Sequence, residues 1–169
     1  MKKIVSLILL LSALSAKGQK VEISVGEAWA EIPAQQTQSE LKPGWKIVDY
    51  QTKSRLTRYL SGGHASQLAE TSRPVFRITP KDEEVLVDYA VVRFKGYKTY
   101  RKLPKPQLKD NAYMRLEPES FNLRAEGEAF ICQPLQPLLP GEYILVSLSQ
   151  SPIGELGDLL VYPFCVMKE

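Results

Sequence analysis

His64 is the only histidine in the chain, so any Ser-His-Asp or Cys-His chemistry has to pass through it. It lies in Ser61-Gly62-Gly63-His64-Ala65-Ser66, a glycine-softened loop able to expose the ring. A nucleophile elbow needs Gly-x-Ser-x-Gly after a strand, and that motif is missing. A triad is defined by geometry and not by residue inventory, so His64 reads as a surface-turn histidine. Gly62-Gly63 reads as a turn, since the Lys-Ser/Thr that completes a phosphate loop does not follow. Two carboxylate groups are candidates for glycan hydrolysis: Asp82, Glu83 and Glu84 before a long apolar strand, and Glu117 with Glu119 around Pro118. Sequence gives neither group the opposed acid and base that glycosidases require. Both read as solvated loop charge.

Cys132 and Cys165 form an even pair, which in an oxidising compartment is a disulfide candidate. Closing a loop of about 34 residues would stabilise the fold by roughly 3 to 4 kcal/mol. The alternative is two reduced thiols that pack in the core, with Phe130 and Phe164 next to them. A metal site is not expected, because the pair lacks the C-x-x-C spacing and the supporting histidines of zinc sites. No cofactor motif is present either.

One stretch is locally basic: Arg93, Lys95, Lys98, Arg101, Lys102, Lys105 and Lys109, with no acid between Asp88 and Asp110. Tyr97 and Tyr100 are interleaved. On a strand Lys98, Tyr100 and Lys102 share a face, an aromatic between cations suited to an acidic glycan or another polyanion. The competing reading is an edge strand that lysines protect from edge-to-edge association.

The elements that must position these residues are strands. Val21 to Val25, Ala28 to Ile32 and Val75 to Thr79 alternate apolar and polar residues, the last closed by Pro74 and Pro80. Glu84 to Phe94 is apolar on both faces, as a central strand would be. Lys95-Gly96 is placed to make a tight turn from which Tyr97 to Leu103 returns. Phe121 to Ala125, Glu128 to Gln133, Glu142 to Ser149 and Leu159 to Met167 complete the set, with Pro163 marking an edge or bulge in the last. Ala34 to Lys42 and Ser61 to Ser72 read as loops, and Arg55 to Leu60 as a possible short helical turn. Twelve prolines and ten glycines suit short strands and turns better than a helical bundle. The pattern predicts an all-β chain, an antiparallel β-sandwich of immunoglobulin-like type.

Residues 1–18 carry Lys2 and Lys3, an apolar run from Ile4 to Leu14, and the small-x-small exit Ala16-Lys17-Gly18. This is the pattern of a secretory signal peptide, and the run is too short to span a bilayer as a helix. Gln19 is the expected mature N-terminus and 19–169 one domain, periplasmic or secreted, without an integral membrane anchor. The precursor has 22 basic and 19 acidic residues, and losing Lys2, Lys3 and Lys17 leaves 19 of each. The apparent basicity belongs to the export signal, so nucleic acid is not an expected partner.

From Pro74 to Val166, Phe76 with Ile78, then Tyr89 to Arg93 leading to Arg101 and Leu103, and then Pro137-Leu138-Leu139-Pro140-Gly141-Glu142-Tyr143 before a closing aromatic strand resemble small exported β-sandwich proteins of Bacteroides-like bacteria. Leu-x-Pro-Gly-Glu-Tyr is the most recognisable piece. Similar segments occur in immunoglobulin-like modules, where the turn leads into a strand whose tyrosine braces the sandwich. The resemblance implies a fold and no activity. The expected function is a non-catalytic binding or envelope-assembly module, with an envelope protein or an acidic glycan as partner. A secreted hydrolase acting on a glycan or ester is the alternative from a different class.

Overall fold

The computed structural model describes residues 19–42, 46–47, 50–51, 55–80, 89–96, 100–102, 113–147 and 159–167. In chain order the strands are β1 (Lys20–Val25), β2 (Ala28–Glu31), β3 (Gln35–Gln36), β4 (Gln38–Lys42), β5 (Lys46–Ile47), β6 (Tyr50–Gln51), β7 (Arg55–Ser61) and β8 (Leu68–Ala69). They continue with β9 (Phe76–Thr79), β10 (Tyr89–Gly96), β11 (Tyr100–Lys102), β12 (Tyr113–Arg115), β13 (Phe121–Glu126), β14 (Ala129–Pro134), β15 (Gly141–Ser147) and β16 (Leu160–Val166). No helix occurs among the described residues.

Alternation decides which face each strand buries. In β1, Val21 and Ile23 are fully buried, and in β9 Phe76 and Ile78 are. These strands belong to a five-stranded antiparallel sheet in the order β13-β14-β9-β1-β2. The second sheet runs β3-β16-β15-β10-β11-β7-β4, with β12 also on β10 and β8 on β16. The two sheets close on one apolar cluster, in which Val21, Ile23, Phe76 and Ile78 meet Tyr89, Val91, Leu145 and Phe164. The Phe164 ring packs edge-on against Phe76 at 5.0 Å and stacks on Tyr143 at 5.5 Å. The chain is therefore an all-β antiparallel sandwich. Among the described residues the one parallel pairing is β8 against β16.

β10, β15 and β16 are apolar on both faces because both faces are covered. Their second face carries Ala90, Val92, Phe94, Ile144, Val146 and Val161, joined by Leu60 of β7 and by Leu159. This explains why the described part of Glu84 to Phe94, which is β10, reads as a central strand.

The segment Leu138 to Tyr143 is a corner held by several of its own groups. Leu138 is buried in the main cluster, and the Tyr143 hydroxyl donates to the Leu139 carbonyl at 2.7 Å. Arg93 donates from Nη2 to the Pro140 carbonyl at 2.6 Å. Its guanidinium then lies against Gly141, where a Cβ would fall 3.0 Å from Nε and the φ of 153° is one that side chains disfavour, so glycine fits best there.

Several expectations are corrected. Arg55 to Leu60 is no helical turn but most of β7, which pairs with β4 on one side and β11 on the other. Parts of the two expected loops are strand: β3 and β4 lie within Ala34 to Lys42, and β8 within Ser61 to Ser72. Lys95 and Gly96 do not form the turn, since they pair with Lys102 and Arg101, and β10 runs through them. Glu84 to Asp88 lie outside the described residues. Pro163 lies where one flank of β16 is open between the β3 pairing at Leu160–Val161 and the β8 pairing at Cys165–Val166. A residue without an N–H fits such an interruption.

Candidate functional site

β10 and β11 pair antiparallel, but β11 is not an edge. β11 is flanked by β10 through Lys95↔Lys102 and Gly96↔Arg101, and by β7 through Tyr100↔Ser61, Arg101↔Leu60 and Lys102↔Tyr59. Protection of a free edge therefore does not account for its lysines. Leu60 points into the second apolar cluster, so Tyr59, next to it on β7, points to the opposite face. Lys102 shares that face as the register partner of Tyr59 and is half-buried. Among the described residues no carboxylate pairs with Lys102, whereas the Tyr59 hydroxyl donates to Glu40 Oε2 at 3.0 Å. Lys95 occupies the register position on the other side of Lys102. The row across the sheet thus reads Lys95, Lys102, Tyr59, Gln38. Tyr100 is two positions along β11 from Lys102, and Lys98 lies outside the described residues.

Tyr59 is the aromatic that sequence reading missed. Treating Arg55 to Leu60 as helical removed it from the sheet, although the segment alternates through Leu56, Arg58 and Leu60 and can be read as a strand.

His64 is exposed, as its loop implied, yet it is tied down. Its Nδ1 lies 2.9 Å from Oε1 of Glu142, and the other oxygen of that carboxylate accepts the Ala65 N–H at 2.9 Å. The His64 side chain is 84% exposed and that of Glu142 only 6%. Burying a carboxylate without partners is costly, so the His64-Ala65 turn is the counterpart that lets Glu142 occupy the covered face of β15 beside Ile144 and Val146. The signal was available: a glutamate heading a strand of otherwise apolar alternation needs a partner. Glu117 and Glu119 flank Pro118 in the turn before β13, with Glu119 exposed, and Glu117 accepts backbone bonds from Ser120 and Phe121 through its own carbonyl. Asp82, Glu83 and Glu84 lie outside the described residues. No group of three or more metal-ligating side chains occurs among the described residues.

Cys132 and Cys165 are reduced thiols, with no bond between their sulfurs. Cys132 is fully buried in the cluster between the sheets, and burial pushes its thiol up to about 12. Cys165 follows Phe164, which points into that same cluster, so Cys165 projects from the opposite face of β16, where it is half-buried beside Glu142 in register. The two sulfurs are therefore on different sides of a sheet, and a bond between them would require β16 to turn over.

A second charged patch lies on the outer face of the five-stranded sheet. Glu22 receives a 2.6 Å bond from Arg77 Nε and a 2.9 Å contact from Lys20. The Arg77 bond holds its carboxyl below the ordinary carboxylate value, against burial, with Lys20 adding to the effect. The Arg77 guanidinium also sits 4.7 Å above the Trp29 ring. This cation is already satisfied twice and is a poorer ligand for an external anion than Lys102.

No helix among the described residues is long and apolar enough to cross a membrane. No protein-family model matches the chain, and neither a curated protein nor a solved structure matches it.

Proposed function

We propose that the chain is exported and that its mature part, Gln19 to Glu169, is an immunoglobulin-like binding module for an acidic polymer of the cell envelope. The observation that carries this reading is the interior position of Lys102, opposite Lys95 on one strand and Tyr59 on the other. Like charges directly opposed across strands cost stability, and β11 needs no lysine to guard an edge. A ligand that neutralises both lysines while packing on an aromatic supplies a reason for the arrangement. The immunoglobulin-like reading draws support from Tyr143, which braces the corner before β15. Export is supported by residues 1–18 of the sequence, and the mature chain has no net formal charge, so any attraction for a polyanion is local to this face.

The test is titration of the mature protein with polygalacturonate, using a neutral polysaccharide as control. Binding should weaken with salt, be lost in the K98E/K102E variant and be reduced in Y59F less than in Y59A. Absence of binding, or binding that survives K98E/K102E, overturns the reading.

A further inference from the structure

Each sheet has ends, and they are finished differently. The larger sheet ends in β3, two residues long, and β4, which carries Lys42. The five-stranded sheet ends in β2, four residues long, and in β13, six residues long. β13 reads Phe121-Asn122-Leu123-Arg124-Ala125-Glu126, with neither lysine nor proline. Its register with β14 is unbroken over all six residues, so no bulge twists the edge away. Among the described residues no strand pairs with its outer side.

The backbone groups on that side can be assigned. The Leu135 N–H donates to the Ser120 carbonyl, which makes Ser120 a residue bonded toward β14. Backbone direction alternates along an antiparallel ladder, so Asn122, Arg124 and Glu126 also bond inward. Phe121, Leu123 and Ala125 therefore turn their N–H and C=O groups outward. Glu126 pairs with Ala129 across the turn at Gly127 and Glu128, where Gly127 takes a φ of 63°.

We infer that β13 is a dimerisation edge, and that its partner is β13 of a second copy, antiparallel about a two-fold axis at Ala125. This axis places Arg124 opposite Glu126 of the second copy, and Glu126 opposite its Arg124. Both side chains are exposed, at 73% and 53%, and they already meet within one strand at 3.3 Å, which shows that their charged ends can reach each other. Moving the axis to Arg124 would set the two arginines against each other, a destabilising pairing. A two-fold edge contact closes on itself without open-ended growth, and this one pairs Arg124 to Glu126 of each copy, joining the two five-stranded sheets at that end of β13.

Sedimentation velocity of the mature protein over a range of concentrations tests this directly. The expected result is a species of twice the monomer mass. R124E and E126R should each weaken the dimer at least tenfold, because each sets like charges across the axis, and the double exchange R124E/E126R should restore it. A125P, which removes an outward N–H that no described residue accepts, should leave only monomer with an unchanged circular dichroism spectrum. A protein that stays monomeric at every concentration overturns the inference, as does a dimer indifferent to both single charge reversals.

Discussion

At the scale of single residues, the buried polar and sulfur groups make the sharpest predictions. Cys132 is enclosed between the sheets with its thiol pushed up to about 12, while Cys165 is half-buried on the opposite face of β16. A thiolate reagent at neutral pH should therefore modify the native protein once, at Cys165, and a second time only after unfolding. Mass spectrometry of the labelled native protein checks this, and a protein without reactive thiols even when unfolded would mean the two are bridged. Glu22 gives a pH prediction. Its carboxyl is held low mainly by Arg77, so the unfolded chain binds the proton more readily than the folded one. The stability it contributes is present above the ordinary carboxylate range of about 4.3 and is lost as pH falls through the depressed folded value. E22Q should therefore be less stable than the native protein near neutrality, and the gap should close on acidification. Urea midpoints measured from about pH 6 down to about pH 2 decide it.

At the scale of elements, what the sequence revealed depended on whether a strand is specified by its side chains or by its neighbours. Val75 to Thr79 was legible because Phe76 and Ile78 alternate between flanking prolines and the strand buries one face. The same holds for β13 and β14, found within a residue or two of their observed ends. β3 and β4 were not legible, because Gln35, Gln36 and Gln38 to Lys42 show no apolar alternation. Backbone pairing holds them, together with Thr37, whose N–H donates to the Leu159 carbonyl while its hydroxyl accepts the Leu159 N–H. Of the candidate site, the hairpin partnership of β10 and β11 was readable, but the neighbour on its far side was not. That neighbour, β7, is remote in sequence, and no local pattern announces its pairing with β11. The tie between the loop after β7 and the head of β15 is likewise non-local. E142A strands the Ala65 N–H and releases His64, and it should cost about 1 to 3 kcal/mol. H64A should cost less, because its ring is mostly in solvent. Urea unfolding of both variants, with amide exchange at Ala65 rising most in E142A, tests the ranking.

At the scale of the whole molecule, the decisive feature is that β10, β15 and β16 are shared between two apolar clusters. Phe164 belongs to the cluster between the two sheets and Ile144 to the one on the far face, yet they lie on adjacent, hydrogen-bonded strands. Neither cluster can lose its packing while those strands stay intact, since each strand contributes its alternate residues to both. The molecule should therefore unfold as one cooperative unit, despite having two cores. Phe164 and Ile144 are both fully buried, so truncation leaves a cavity as well as lost transfer free energy. F164A should cost about 3 to 5 kcal/mol and I144A about 2 to 5 kcal/mol. Both should shift the same single transition, followed together by tryptophan fluorescence and far-ultraviolet circular dichroism. If I144A instead split the curve, with one probe melting before the other, the face carrying Ile144 would be a separately unfolding layer. The strand row at Lys102 would then rest on a layer that opens independently of the sandwich. Coincident curves would place that row on the same rigid body as the central strands.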